Sequence, residues 1–429
     1  MNNKKAIVFL NESAGELEWI TPILKYLLNN NFNIGLVYRS ELIEKSIENN
    51  MTISSFLINH PQIKQHRPTW ALKKIDKVGG YLYHYIGHKF DKVKLLSYCF
   101  GIFDRILGII YMKNASKGAI KDGVNGRYLV FSQQSNLKRK SNFRAWIEVN
   151  FKNSVFIYHP HSPAVYSDKF EEDYPNHDKV STKKRSYAIL GNPGDFDSLE
   201  SNRNYDVSKV NPVYIGHPKY SDMWTAAFNQ GVPVSGCSVP NDIIKILITS
   251  HNNNSKLVCT EKEHQSIVSS LVKVFHKNFL NYQVIVKEHP RVTASYWNTV
   301  IEQNSSVSFT KRSVLEMACE VDFVISLLSS SPMDCFVVGA PVIEYLPVKP
   351  KIPWCDNLNE SNTACRKLGI VLPADNEGEL KNAIDKIISK DYRVSLELAH
   401  PFFRKIVKRS NEWSTHFEKI LDANNMFLK

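Results

Sequence analysis

The stretch from Tyr282 to Tyr345 constrains the fold of this chain more than any other. Four short apolar or β-branched runs, Gln283–Lys287, Val307–Phe309, Phe323–Ser326 and Pro341–Tyr345, alternate there with segments of helical spacing. Runs that are apolar on both faces are strands buried on both faces. Strands of that kind alternating with helices predict a parallel, doubly wound sheet. Two polar clusters lie just past strand ends, Lys287-Glu288-His289-Pro290 and Ser329-Ser330-Ser331-Pro332. In open α/β sheets the C-terminal strand edge is where ligands bind. The second cluster also reads as a helix start, with Ser331 at the N-cap, Pro332 at N1 and Asp334 at N3. Free N–H groups and the positive dipole end of that helix predict a phosphate contact.

The same alternation runs through the rest of the chain. Ala6–Leu10 reads as a strand, Asn11–Gly15 as a turn, and Glu16–Asn29 as a helix with Leu17, Ile20, Ile23, Leu24 and Leu27 on one side. Asn33–Tyr38, Arg127–Phe131, Ser154–Tyr158 and Arg185–Leu190 are further strands, and another ends at Gly216-His217-Pro218. Val213–Trp224 has the character of a hinge, after which Ile243–Thr249 opens a second sheet. Helices are expected over Thr260–Phe275 and Glu377–Ile388, and a single one over Pro401–Asn424. A chain of 429 residues accommodates two or three domains. The expected division is 1–215, 216–400, and a helix over 401–429 that packs back toward the N-terminal domain.

Charge narrows the partners. The chain carries a net charge of +12, which implies nucleic acid, a phosphorylated ligand or an anionic membrane face. The insertion 64–113 holds ten Lys/Arg against three Asp and no Glu, with nine aromatics interleaved. A segment of that kind can lie in the headgroup plane, its lysines on lipid phosphates and its aromatics below. The alternatives are a solvated basic face and a single-strand site, but no recognisable nucleic-acid module accompanies it. No nucleic-acid partner is therefore expected. The seven cysteines are scattered without a CxxC pair, so neither a zinc ribbon nor a disulfide framework is expected, and a reducing cytoplasm is. Ala6–Leu10 is too short for a signal h-region, and no run reaches the roughly 20 apolar residues of a membrane-spanning helix.

Several residues carry two readings each. Glu16 closes an S-x-x-E capping box with Ser13, or stands as a general base at a strand–helix turn. His159-Pro160-His161 ends a strand and either contacts substrate or shapes a loop, since no partner has metal spacing. Asp195 lies in the turn-rich Gly191-Asn192-Pro193-Gly194 loop. Glu316 forms a second capping box with Ser313, or reaches a ribose.

Over residues 212–345 the chain resembles bacterial surface-polysaccharide transferases: the capsule polysaccharide biosynthesis group, β-Kdo transferases and CDP-glycerol glycerophosphotransferases. The resemblance rests on Gly216-His217-Pro218-Lys219-Tyr220-Ser221, Lys287-Glu288-His289-Pro290, Ser329-Ser330-Ser331 and Gly339-Ala340-Pro341-Val342-Ile343. Asn11–Trp19 is similar to the Gly-Glu turn of Kdo transferases and lipid A disaccharide synthases. His159 and His161 resemble a histidine motif of the glycerophosphotransferases, with Pro160 where glycine is usual.

The resemblance implies the GT-B plan, two doubly wound Rossmann-like domains facing across a cleft. Residues 1–215 would take the acceptor and 216–400 the nucleotide donor. It implies an inverting, metal-independent transferase with no cofactor besides its nucleotide-sugar co-substrate, CMP-Kdo or another cytidine-activated donor. The acceptor would be a glycan or lipid-linked glycan of a capsule, O-antigen or lipopolysaccharide, at the cytoplasmic face of the plasma membrane. Glu16 matches the position of the base and Asp195 is the second candidate. Lys287 and His289 would neutralise the leaving phosphate, and Ser329, Ser330 and Ser331 would donate hydrogen bonds to it. Glu316 and His217 complete the donor set. A UDP-sugar 2-epimerase, a CDP-glycerol-type polyol-phosphate transferase and a membrane-bound export scaffold remain as alternatives.

Overall fold

Among the described residues, thirteen strands in two all-parallel sheets organise the computed structural model of the chain. The structure describes residues 4–10, 14–38, 41–67, 127–138, 142–160, 174, 185–228, 243–250, 260–279, 281–288, 296–327, 329, 331–348 and 363–426. The basic aromatic segment beyond residue 67, and Ser13, His161, His289 and Ser330, lie outside the described residues.

The first sheet comprises β1 (Lys5–Leu10), β2 (Asn33–Tyr38), β3 (Ile63–His66), β4 (Tyr128–Gln133), β5 (Val155–His159), β6 (Ser186–Leu190) and β7 (Asn211–Tyr214). Their order is β3-β2-β1-β4-β5-β6-β7. The second comprises β8 (Ile244–Ser250), β9 (Tyr282–Glu288), β10 (Val307–Phe309), β11 (Phe323–Ser326), β12 (Val342–Tyr345) and β13 (Leu372–Ala374), ordered β10-β9-β8-β11-β12-β13. The described helices are α1 (Ala14–Asn29), α2 (Glu41–Glu48), α3 (Met51–Asn59), α4 (Asn142–Asn150), α5 (Pro193–Glu200), α6 (Asp222–Thr225), α7 (Glu261–Asn278), α8 (Trp297–Gln303), α9 (Val314–Ala318), α10 (Ser331–Val337), α11 (Ala364–Lys367), α12 (Glu377–Ile388), α13 (Pro401–Asn411) and α14 (Trp413–Ala423). Two doubly wound α/β units result.

By their contacts Met1–Glu48, Ile53–Lys219 and Glu412–Lys429 form the first unit, and Asn49–Thr52 with Tyr220–Asn411 the second. In the first, one core joins a sheet face to α1 and α14 through Leu17, Ile20, Leu129, Ile157, Ile189 and Phe417. A second core covers the other face through Phe9, Val130, Phe143, Ile147 and Leu190. In the second unit Ile246, Ile248, Val286, Phe323, Ile325 and Ile343 pack against α7, α8 and α12. Every central strand is apolar toward both sides because helices cover both faces of a parallel sheet.

The single helix expected over Pro401–Asn424 is two helices. The backbone leaves helical geometry at Glu412 (φ −96°, ψ 5°). Phe403 packs edge-on against Phe336 of α10, whereas Trp413 and Phe417 pack against Tyr26 of α1. The two apolar stripes serve different cores, and one straight helix cannot aim both. The edge strands β3 and β13 carry no apolar run (Ile-Lys-Gln-His and Leu-Pro-Ala), because an edge strand is partly solvated and needs none. Among the described residues no helix is long and apolar enough to cross a membrane.

Candidate functional site

Each sheet has one point where strand order reverses: between β1 and β4 in the first, and between β8 and β11 in the second. The crevice outside the strand C-termini at such a point is where open α/β sheets bind ligands. The side chains found there follow from alternation, since residues two apart on a strand share a face.

In the first sheet Phe131, Ile157, Ile189 and Ile215 all belong to the core under α1. Two residues further along the chain, the same face carries Gln133, His159, Gly191 and His217. Gln133 and His159 are direct register partners. Trp19 of α1, 1% exposed, lies parallel to the His159 ring at 6.1 Å. Its indole Nε1 donates to His217 Nδ1 at 2.9 Å. Nδ1 is thus the acceptor, and the neutral ring carries its proton on Nε2. Burial, and then the charge of Lys219, pull the His217 pKa down to about 3. A Cβ on Gly191 would lie 2.0 Å from His217 Cε1 and Nε2, so the ring occupies the space any side chain there would need. Gly216 supplies the positive φ (77°) that turns the chain into His217. His217, placed in the donor set from sequence, therefore stands in the first unit, fully buried and held neutral.

The two base candidates have different surroundings. Asp195 Oδ2 accepts from the backbone N–H of Gly191 at 2.7 Å and of Asn192 at 3.1 Å, and Oδ1 accepts from Asn192 Nδ2 at 3.2 Å. Asn192 returns a bond to Asp195 N, which completes a capping box at the start of α5. Three donors thus hold the carboxylate in the cap of α5. Glu16 sits in the first turn of α1 and is also fully buried. The α1 start is tied at Ala14, whose N–H donates to Ser46 Oγ at 3.0 Å.

In the second sheet alternation leaves Lys287, Thr249, Ser326 and Glu344 on the face opposite the core that holds Ile248, Val286, Ile325 and Ile343. Register makes them one row: Lys287 opposite Thr249, Thr249 opposite Ser326, Ser326 opposite Glu344. Ser331 Oγ of α10 donates to Thr249 Oγ1 at 2.8 Å, and Ser331 N–H donates to Ser329 Oγ at 3.2 Å. So Ser329, not Ser331, takes a helix-start N–H, because Ser331 already lies within the helix and its hydroxyl faces β8. Ser326 Oγ is fully buried and meets no described hydrogen-bond partner. Glu344, 1% exposed, accepts from the Thr363 hydroxyl and from Arg366 Nε at 2.9 Å, and Arg366 Nη2 continues to Asp375 Oδ1 at 2.7 Å. Burial raises the Glu344 pKa, while Thr363 and Arg366 pull it back. Beyond Thr249, Ser250 Oγ accepts from Trp297 Nε1 at 3.2 Å and lies 3.2 Å from His264 Nε2, which ties α7 and α8 to the end of β8.

Glu316 does not complete a reciprocal box with Ser313. Ser313 Oγ accepts from Glu316 N at 3.2 Å, but the Ser313 N–H goes to Thr52 Oγ1 at 3.0 Å. The Glu316 carboxylate takes the Thr52 hydroxyl and Arg312 Nε. Thr52 thus does what Glu316 was expected to do, and the Glu316 carboxylate is already held by Thr52 and Arg312. Sequence reasoning missed Trp19, Gln133, Thr249, Ser326 and Glu344. The signal was available: each of the last four is a polar residue at or next to the C-terminal end of an apolar strand.

No family model and no curated protein matches the chain. Solved structures with a similar arrangement include UDP-GlcNAc 2-epimerase of Methanocaldococcus jannaschii in complex with UDP-GlcNAc and UDP, at 10% identity and a TM-score of 0.46, covering 95% of this chain and 98% of that one. A glycosyltransferase of Rickettsia africae has 13% identity and a TM-score of 0.44, covering all of both chains. The wall teichoic acid polymerase TagF has 9% identity and a TM-score of 0.47, covering 99% of this chain and 88% of that one. Likenesses of this size do not speak to what this chain acts on.

Proposed function

We propose that the chain is a glycosyltransferase that moves a sugar from a nucleotide-activated donor, held by the second unit, to an acceptor hydroxyl. The observation that carries this reading is the register row Lys287–Thr249–Ser326, a cation followed by two hydroxyl residues at the strand-order reversal of the second sheet. A nucleotide leaves as its phosphate, and negative charge grows on that phosphate as the glycosidic C–O bond breaks. A fixed cation and hydroxyl donors where charge grows lower the barrier. Lys287 and, from the resemblance, His289 supply the cation, and Ser329 and Ser330 supply hydroxyls. Glu16, the position the resemblance gives to the base, takes the proton of the acceptor hydroxyl, with Asp195 as the second candidate. Attack on the face opposite the leaving phosphate inverts the anomeric centre. The donor is cytidine-activated, with CMP-Kdo first. The acceptor belongs to a capsule, O-antigen or lipopolysaccharide glycan at the inner membrane face, where the basic aromatic segment meets anionic lipid.

The full chain incubated with CMP-, CDP-, UDP- and GDP-sugars should gain thermal stability with one nucleotide class and release that nucleotide when acceptor glycan is added. If none of these nucleotides raises the melting temperature, the reading fails. If a UDP-sugar is epimerised with no acceptor present, an isomerase replaces the transferase.

A further inference from the structure

The loop that follows β4, at the reversal point of the first sheet, has an unusual set of buried amides. Gln133, Gln134 and Asn136 are 4%, 8% and 5% exposed. Each is anchored by one arm. Gln133 Oε1 accepts from Ser135 Oγ at 2.6 Å, Gln134 Nε2 donates to Ile189 O at 3.1 Å, and Asn136 Nδ2 donates to Ser132 Oγ at 2.7 Å. The other arms, Gln133 Nε2, Gln134 Oε1 and Asn136 Oδ1, have no hydrogen-bond partner among the described residues. None of these three atoms is sealed from solvent. Three open amide arms, held on buried side chains of one short loop, are therefore available to a ligand.

We infer that the Ser132–Asn136 loop binds an uncharged, hydroxyl-rich ligand, the sugar at the receiving end of the acceptor. This rests on the transferase reading for its role, not for its chemistry. The open arms are one donor and two acceptors, and none carries charge. An anion would meet two carbonyl oxygens, and a cation would meet an N–H. Sugar hydroxyls both donate and accept, so they satisfy all three. The anchored arms fix the open ones before binding, which reduces the ordering cost. Gln133 projects on the α1 side of the sheet, the side that carries Glu16, so the ligand is held on the same side as the proposed base.

The test is ligand-observed saturation-transfer NMR on the full chain. The probes are methyl β-D-glucopyranoside and N-acetylglucosamine as neutral ligands, and glucuronate and glycerol 3-phosphate as anionic ones. The neutral probes should receive saturation at the loop, whereas transfer to the anionic ones, which the proposed phosphate site of the second unit can take, should not depend on the loop. The Gln133→Ala/Asn136→Ala variant should cut the neutral signal at least about threefold while keeping the wild-type thermal shift with nucleotide. If the double variant does not fold, Gln133→Glu preserves the side-chain shape and should lose the neutral signal alone. Transfer to the anionic probes that falls with the loop variant, or an undiminished neutral signal in a folded variant, overturns the inference. Neutral-sugar binding that persists in a chain that binds no nucleotide would sink the transferase reading and leave this one standing.

Discussion

The two sheets end in polar rows of opposite character. The first, Gln133–His159–Gly191–His217, is aromatic and tightly filled, with Trp19 lying on one imidazole and bonded to the other. Its His217 ring leaves no room for a side chain at Gly191. The second, Lys287–Thr249–Ser326–Glu344, is made of a lysine, small hydroxyls and a carboxylate already balanced by Arg366. A filled row holds neighbouring groups in place, whereas small hydroxyls beside a cation suit an anion. The contrast is between an edge filled by rings around Gly191 and an edge lined by a lysine and small hydroxyls.

Four substitutions or conditions test that contrast, from the largest expected effect to the smallest. Glu16→Gln should lower turnover by about 10²–10⁴-fold while leaving the nucleotide-induced thermal shift unchanged, as expected of a general base. Loss of nucleotide binding in that variant would move Glu16 from catalysis to structure. Gly191→Ala should destabilise the chain by about 3 kcal/mol in denaturant titration, because a buried, hydrogen-bonded imidazole must move to admit the methyl group. A near-neutral result would show the row to be loosely packed.

The third test is pH. His217 titrates near 3 in the folded chain against roughly 6.5 unfolded, so between those values the unfolded chain binds more protons. Stability should be full above pH 6.5 and fall on acidification, by about 2 kcal/mol at pH 5 from this group alone. His217→Gln should flatten that slope in midpoints measured from pH 7.5 to 5, and an unchanged slope would assign it to other groups. The smallest effect belongs to the second row. Lys287→Met should weaken nucleotide binding about tenfold, or about 1.4 kcal/mol, with little change in unfolding midpoint. If the midpoint drops and affinity holds, the row is structural like the first.

Much of this architecture is readable along the chain, because strand and helix periods are local. Val307–Phe309, Phe323–Ser326 and Glu377–Ile388 are expected and found with the same bounds. The site is less readable. Asp195 is a turn-loop carboxylate on paper and a capping residue in space, and Thr52 meets Glu316 across more than 260 residues of chain. The break at Glu412 is invisible to periodicity, since both flanking helices are amphipathic and only their destinations differ.

Alternating apolar strands and amphipathic helices therefore dictate two parallel, doubly wound sheets, because side-chain period is a property of neighbouring residues. Which polar residues become neighbours is decided by strand order, and that order depends on how each crossover helix packs. Val155–His159 and Tyr128–Gln133 become adjacent, as do Phe323–Ser326 and Ile244–Ser250, only once those helices have covered both faces.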